Sequence, residues 1–205
     1  MIKNIIDELD IKGHLKISKL FSNGSEEVIF DDHNVIVSGM GVALAHLFSL
    51  SGSDSVLDYQ VDRFQVGVSG GAANEVYQTN SLSAPLSSLS EYIGTAGAGD
   101  VLTASAHQLI NNSVVTTPRW YGLIPQHQIT RIDENTVRFT IFLDQESCNN
   151  LTRGSSIAYL NEIGLFVKNI KKSSPAAPVL AAYRSFDNVR KTDDFALVFR
   201  WSLTF

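Results

Sequence analysis

The segment Phe195-Ala196-Leu197-Val198-Phe199-Arg200-Trp201-Ser202-Leu203-Thr204-Phe205 decides the fold class of this chain. Phe195, Leu197, Phe199, Trp201, Leu203 and Phe205 recur at every second position. Period two places all six on one face of a β-strand. A strand this apolar has to be paired and covered, by its own domain or by a neighbouring subunit.

The same alternation recurs upstream. Leu15, Ile17 and Phe21 alternate with polar residues, and Asn23-Gly24 marks a hairpin into a return strand over Glu27–Phe30. The polar run Asp31-Asp32-His33-Asn34 reads as a corner before Val35–Val37. Phe64, Val66 and Val68 alternate again and stop at Gly70-Gly71. In the last third, 128–132 and 136–143 flank Asp133-Glu134-Asn135 as a hairpin. Glu162–Val167 is mostly apolar, as in a strand covered on both sides, and Val179–Phe186 follows a proline-flanked loop.

One helix stands out, over about residues 39–50. Ser38 is its expected N-cap, Met40, Leu44, Leu47 and Phe48 form its apolar stripe, and Gly52 stops it. Residues 1–12 read as an N-terminal arm, and 2–9 suit a short helix or a flexible arm. Residues 13–205 read as one domain with a long loop-rich insertion at about 70–120, a stretch of weak periodicity. The expected fold is mainly β: an antiparallel β-sandwich, jelly-roll-like, with one short α-helix.

Composition narrows the partners. Charged residues make up 18% of the 205, against about 25% in typical domains. That fits a chain that hides much of its surface in partners, and equally a monomer with a large core. The net charge of −5 supplies no basic excess to displace phosphate counterions, so nucleic acid is not expected. The acidic start lacks the pattern of a signal peptide and no 18-residue apolar run occurs, so no membrane span is expected and folding in a cytoplasm is. The single cysteine, Cys148, excludes an intrachain disulfide and a multi-cysteine zinc site.

Chemical motifs are weak. Gly67-Val68-Ser69-Gly70-Gly71 matches a nucleophile elbow in letters, but turn formers and Pro85 follow where the elbow needs a helix. His107 and His127 are the only later histidines. Gly94–Gly99 spells neither a dinucleotide loop nor a P-loop. Asp31–Asn34 could offer ligands to an ion but reads first as a turn; His46 reads as a packed histidine and Cys148 as a passive thiol. His14, His107 and His127 have no partner at ligand spacing. Trp120-Tyr121 is the one hint of a carbohydrate platform, which keeps a glycan-binding sandwich among the alternatives. No catalytic, cofactor or metal residue is assigned.

Four segments in order resemble tailed-bacteriophage virion structural proteins. They are His33–Gly41 with its following helix, Phe64–Gly70, Leu160–Phe166 with Asn161-Glu162-Ile163-Gly164-Leu165-Phe166, and the closing run from Ala181 through Lys191-Thr192 to Phe205. The resemblance spans roughly 30–205 and is poor over 70–120. It implies a non-enzymatic component of the tail apparatus, baseplate or fibre-attachment region, or of a neck, collar or capsid decoration. It also implies partnership with copies of itself and with other virion proteins, and assembly inside a host bacterium. In that pattern the closing strand pairs beside the Glu162–Val167 strand, and Gly67 and Gly164 permit close backbone approach.

Overall fold

The computed structural model describes residues 11–52, 55–68, 119–150, 156–169 and 178–205, with short stretches at 103–105, 109–110, 113–114 and 152–153. Its strands run β1 (Lys12–Phe21), β2 (Glu26–Ile36), β3 (Val61–Gly67), β4 (Thr103–Ser105), β5 (Leu109–Ile110), β6 (Ser113–Val114) and β7 (Arg119–Leu123). They continue as β8 (Ile129–Arg131), β9 (Thr136–Leu143), β10 (Thr152–Arg153), β11 (Ser156–Ile157), β12 (Leu160–Val167), β13 (Val179–Val189) and β14 (Phe195–Thr204). The helix α1 (Ser38–Phe48) and a 3-10 turn at Val56–Tyr59 lie between β2 and β3.

Two antiparallel layers form the sandwich. One has the order β8-β9-β14-β1-β2 and the other β13-β12-β3-β7-β4. β2 joins them. Its residues 26–34 pair with β1, and Val35 and Ile36 then pair with Tyr183 and Ala182 of β13. Between the layers lies one core, with Leu15, Ile17, Ile141, Phe199 and Trp201 from the first and Phe64, Val66, Ile163 and Leu165 from the second.

The terminal segment sits at the centre of the first layer. β14 pairs along its length with β1 and, from Leu197 to Thr204, with β9. It does not lie beside β12, as the resemblance implied, because β1 on one side and β9 on the other take up its backbone groups. Phe195, Leu197, Phe199, Trp201 and Leu203 are buried, whereas Phe205 is 43% exposed just beyond the last ladder pair. Trp201 Nε1 donates to Asn34 Oδ1 at 2.7 Å. The Asn34 amide fills the space that a Cβ on the opposing Gly13 would occupy, so glycine is required there.

Asp31–Asn34 is not a corner. β2 runs straight through it because its carboxylates find partners on other strands: Glu26 with Arg200, Glu27 with Lys19, Asp31 with His14, and Asp32 with Arg184. Tertiary pairing overrides the local turn preference of Asp and Asn.

The helix differs in two details from its sequence reading. Val37, not Ser38, is the N-cap, and no side chain caps the helix. Val37 is held by its own N–H, which donates to the Ala181 carbonyl at 3.1 Å. Met40 and Ala43 are buried where α1 lies on β13, but Phe48 is 82% exposed. The insertion at 70–120 falls mostly outside the described residues.

Candidate interaction surfaces and a buried polar face

The alternation of β12 splits its side chains between two covered faces, and all eight residues are buried. Ile163, Leu165 and Val167 join the core. Glu162, Gly164 and Phe166 share the other face. Register sets Glu162 between Gly67 of β3 and Ser185 of β13, Gly164 between Gln65 and Tyr183, and Phe166 opposite Arg63. Glu162, Gln65, Arg63, Tyr183 and Ser185 are all buried.

A carboxylate removed from water must find donors. The Tyr183 hydroxyl donates to Glu162 Oε2 at 2.9 Å. The Arg63 guanidinium pairs with Asp62 at 2.7 Å. A Cβ on Gly67 would stand 2.5 Å from Glu162 Oε1, so only glycine leaves room for the carboxylate. The two resemblance motifs, Val66-Gly67 and Asn161-Glu162-Ile163-Gly164, therefore meet in one contact. This carboxylate and phenol are closed off from solvent, and they lock three strands in register.

A second buried polar group fastens the loops at one end. Lys191 is 1% exposed; its Nζ donates to the Asn149 side-chain oxygen at 2.9 Å and to the carbonyls of Thr192 at 2.8 Å and Gln145 at 3.3 Å. It also lies over the Phe195 ring, 5.3 Å from the centroid. Burial pushes its pKa down. The turn it holds contains Cys148 and Asn150 at φ of 61° and 48°, a left-handed conformation costly for cysteine. Burial pushes the Cys148 thiol far up, so it stays protonated and inert at neutral pH.

Asp144 opens this turn. The Ser147 hydroxyl, and then the N–H groups of Ser147 and Glu146, hold its carboxyl below its ordinary value near 3.8 despite the opposing cost of burial. A depressed folded pKa means that the unfolded chain binds more protons near that pH, so stability rises with pH there. The contribution is complete above about 3.8 and is lost as pH falls through the lower folded value. Urea midpoints measured at pH 6 and pH 3 are expected to fall less with acid in Asp144→Asn than in the parent chain. Equal acid losses would refute this role.

The residues singled out in the sequence do not converge. Gly67 ends β3, while Ser69, Gly70 and Gly71, the segment Gly94–Gly99 and His107 lie outside the described residues. In β2, Asp31 reaches His14 on one face, whereas half-exposed Asp32 and partly buried Asn34 lie on the other and reach Arg184 and Trp201. The four cannot share an ion. Among the described residues no three His, Cys, Asp or Glu side chains form a metal-holding group. His14 gains a carboxylate partner at 2.8 Å that sequence spacing could not show. His46 is exposed and stacked on Tyr59 at 5.9 Å rather than packed in the core, and His127 sits in a short 3-10 turn. Tyr121 is buried, so the Trp120-Tyr121 pair offers no open two-ring platform.

Two surface features were missed by sequence reasoning. The first is an apolar corner where α1 meets the 3-10 turn: Phe48 is 82% exposed, Val56 and Leu57 are each 60% exposed, and Val42 is nearly half exposed. Phe48 falls on the helix's expected buried stripe in the sequence, and Val56-Leu57 carries no periodic signal. The second is a cavity of about 310 Å³ where β2 and β13 diverge, floored by Phe30, Phe186 and Phe195 and rimmed by Lys19 and Arg190. No protein-family model, curated protein or solved structure matches this chain.

Proposed function

We propose that this chain is a non-enzymatic structural component of a tailed-phage virion, in the tail apparatus, baseplate or fibre-attachment region. It is built into a symmetric assembly by packing and strand-edge contacts. The observation that carries this reading is the exposure of Phe48, Val56 and Leu57 where α1 packs against the 3-10 turn. Large apolar side chains grouped at one exposed place mark an association surface. The order of the four phage-like segments supplies the class of assembly. The two motifs at the centre of that likeness meet at Glu162 and Gly67, where they serve strand register, as a packing protein requires.

The double substitution Phe48→Ser/Leu57→Ser tests the reading. Both side chains are exposed, so the fold is expected to tolerate the change to within about 1 kcal/mol. Self-association, followed by light scattering during size exclusion, and incorporation into particles are expected to fall severalfold or more. A double variant that associates and is incorporated like the parent would remove the basis of the proposal.

A further inference from the structure

We propose that the open edge of β2, with the cavity beside it, receives the N-terminal arm of a second copy of this chain, residues 2–10, as an added strand. The inference rests on the assembly reading above and names the contact that would join neighbouring copies.

The edge is defined by the topology. β2 pairs with β1 on one side, but on the other its ladder with β13 is confined to Val35 and Ile36, beyond which only side chains such as Asp32 and Arg184 meet. Among the described residues, Glu26–Asn34 therefore have no strand hydrogen-bonded to their far edge, the template for strand addition. Beside this edge Phe30 and Phe186 pack at 6.3 Å and, with Ile29 and Phe195, make an apolar floor. Lys19 and Arg190 supply cations at the rim. Lys19 is paired with Glu27 at 3.1 Å, whereas Arg190 is exposed and has no ion pair among the described residues. Three of the four β2 carboxylates are paired with Arg200, Lys19 and Arg184, and the fourth, Asp31, lies 2.8 Å from the His14 imidazole, so an acidic strand meets no carboxylate without a partner along it.

The arm has matching chemistry. Residues 2–10 read Ile-Lys-Asn-Ile-Ile-Asp-Glu-Leu-Asp, with one lysine against Asp7, Glu8 and Asp10. In extended form Ile5, Asp7 and Leu9 share one face, an acid between two apolar side chains. That face suits an aromatic floor with a free cation at its rim. Nine residues of arm match the nine residues of open edge in length.

The donor is a second copy because of where the arm leaves. Ile11 precedes the Lys12–Gly13 end of β1, and Lys19 lies seven residues further on, about 24 Å away at strand rise. The junction of β2 with β13 stands at the same end as Ile11. A chain's own arm would have to cross over β2 to reach its far edge.

Charge exchange in the full chain tests the contact. Arg190→Glu and Asp7→Lys are each expected to weaken self-association about tenfold or more, measured by sedimentation equilibrium, because each sets like charges at the rim. The combined variant is expected to return most of the lost affinity, which a merely structural role for either residue would not produce. Single variants that associate like the parent, a double variant weaker than either single, or a parent chain that is monomeric at every concentration would each overturn the proposal. If the charge variants assemble normally while Phe48→Ser/Leu57→Ser does not, the arm contact is wrong and the assembly reading stands.

Discussion

A chain ending at Phe199 is expected to give no folded protein. The deleted six residues include Trp201 and Leu203, both essentially inaccessible to solvent. Truncating one buried tryptophan to alanine costs about 3–5 kcal/mol by itself. Deletion also strips partners from Lys12–Lys16 of β1 and from Thr136–Thr140 of β9, which flank Arg200–Thr204 on either side. Asn34 loses the indole N–H that it accepts. Against a total stability of about 5–15 kcal/mol, these losses together exceed what the domain can absorb. Deleting Phe205 alone is the control: the residue is partly exposed and its backbone meets only Asn135, so about 1 kcal/mol or less is expected. Soluble yield and near-ultraviolet circular dichroism distinguish the two. A cooperative thermal transition in the longer truncation, close to that of the parent, would show that β14 is not the keystone of the layer.

Gly67→Ala carries the second large effect. Its Cβ would press on Glu162 Oε1 at 2.5 Å, and the carboxylate, fully buried and bonded to Tyr183, has little space to retreat. Overpacking of this kind costs about 1–3 kcal/mol, and disturbing a buried hydrogen bond to a charged group adds about 1.5–3. The expected total of about 3–5 kcal/mol would lower the melting temperature of a 205-residue chain by roughly 6–20 °C. Replacing Glu162 with alanine is itself destabilising, because Tyr183 loses its acceptor. The double variant Gly67→Ala/Glu162→Ala is nevertheless expected to be more stable than the sum of the singles predicts, since the clash vanishes with the carboxylate. Strictly additive losses would show that the two residues do not touch in the way described.

Much of the sandwich was legible before any coordinates. Alternation at Leu15–Ile17, Phe64–Val66, Val137–Leu143 and Phe195–Leu203 reports burial on one face directly, because a strand presents successive side chains to opposite sides. The unbroken apolar run around Ile163–Phe166 likewise announced a strand covered twice. The error at Asp31–Asn34 has a clear cause: turn preference is local, whereas the partners that hold those residues in a strand, Arg184 and His14, come from other strands. Phe48 shows the complementary limit. A helical stripe records which side chains could be buried but not where the sheet beneath them ends.

The candidate surfaces were less legible for the same reason. The apolar corner needs α1 and the 3-10 turn brought together, and the cavity beside β2 needs that strand to leave one layer for the other. From the order of its residues alone, the chain determines period, and so which side chains of each strand share a face. Tertiary structure decided which strands are neighbours: β14 between β1 and β9, Glu162 over Gly67, and the far edge of β2 paired with β13 only at Val35 and Ile36 among the described residues. Period is a property of a single strand's geometry, while neighbours are selected by pairing and packing energies summed over residues far apart in the chain.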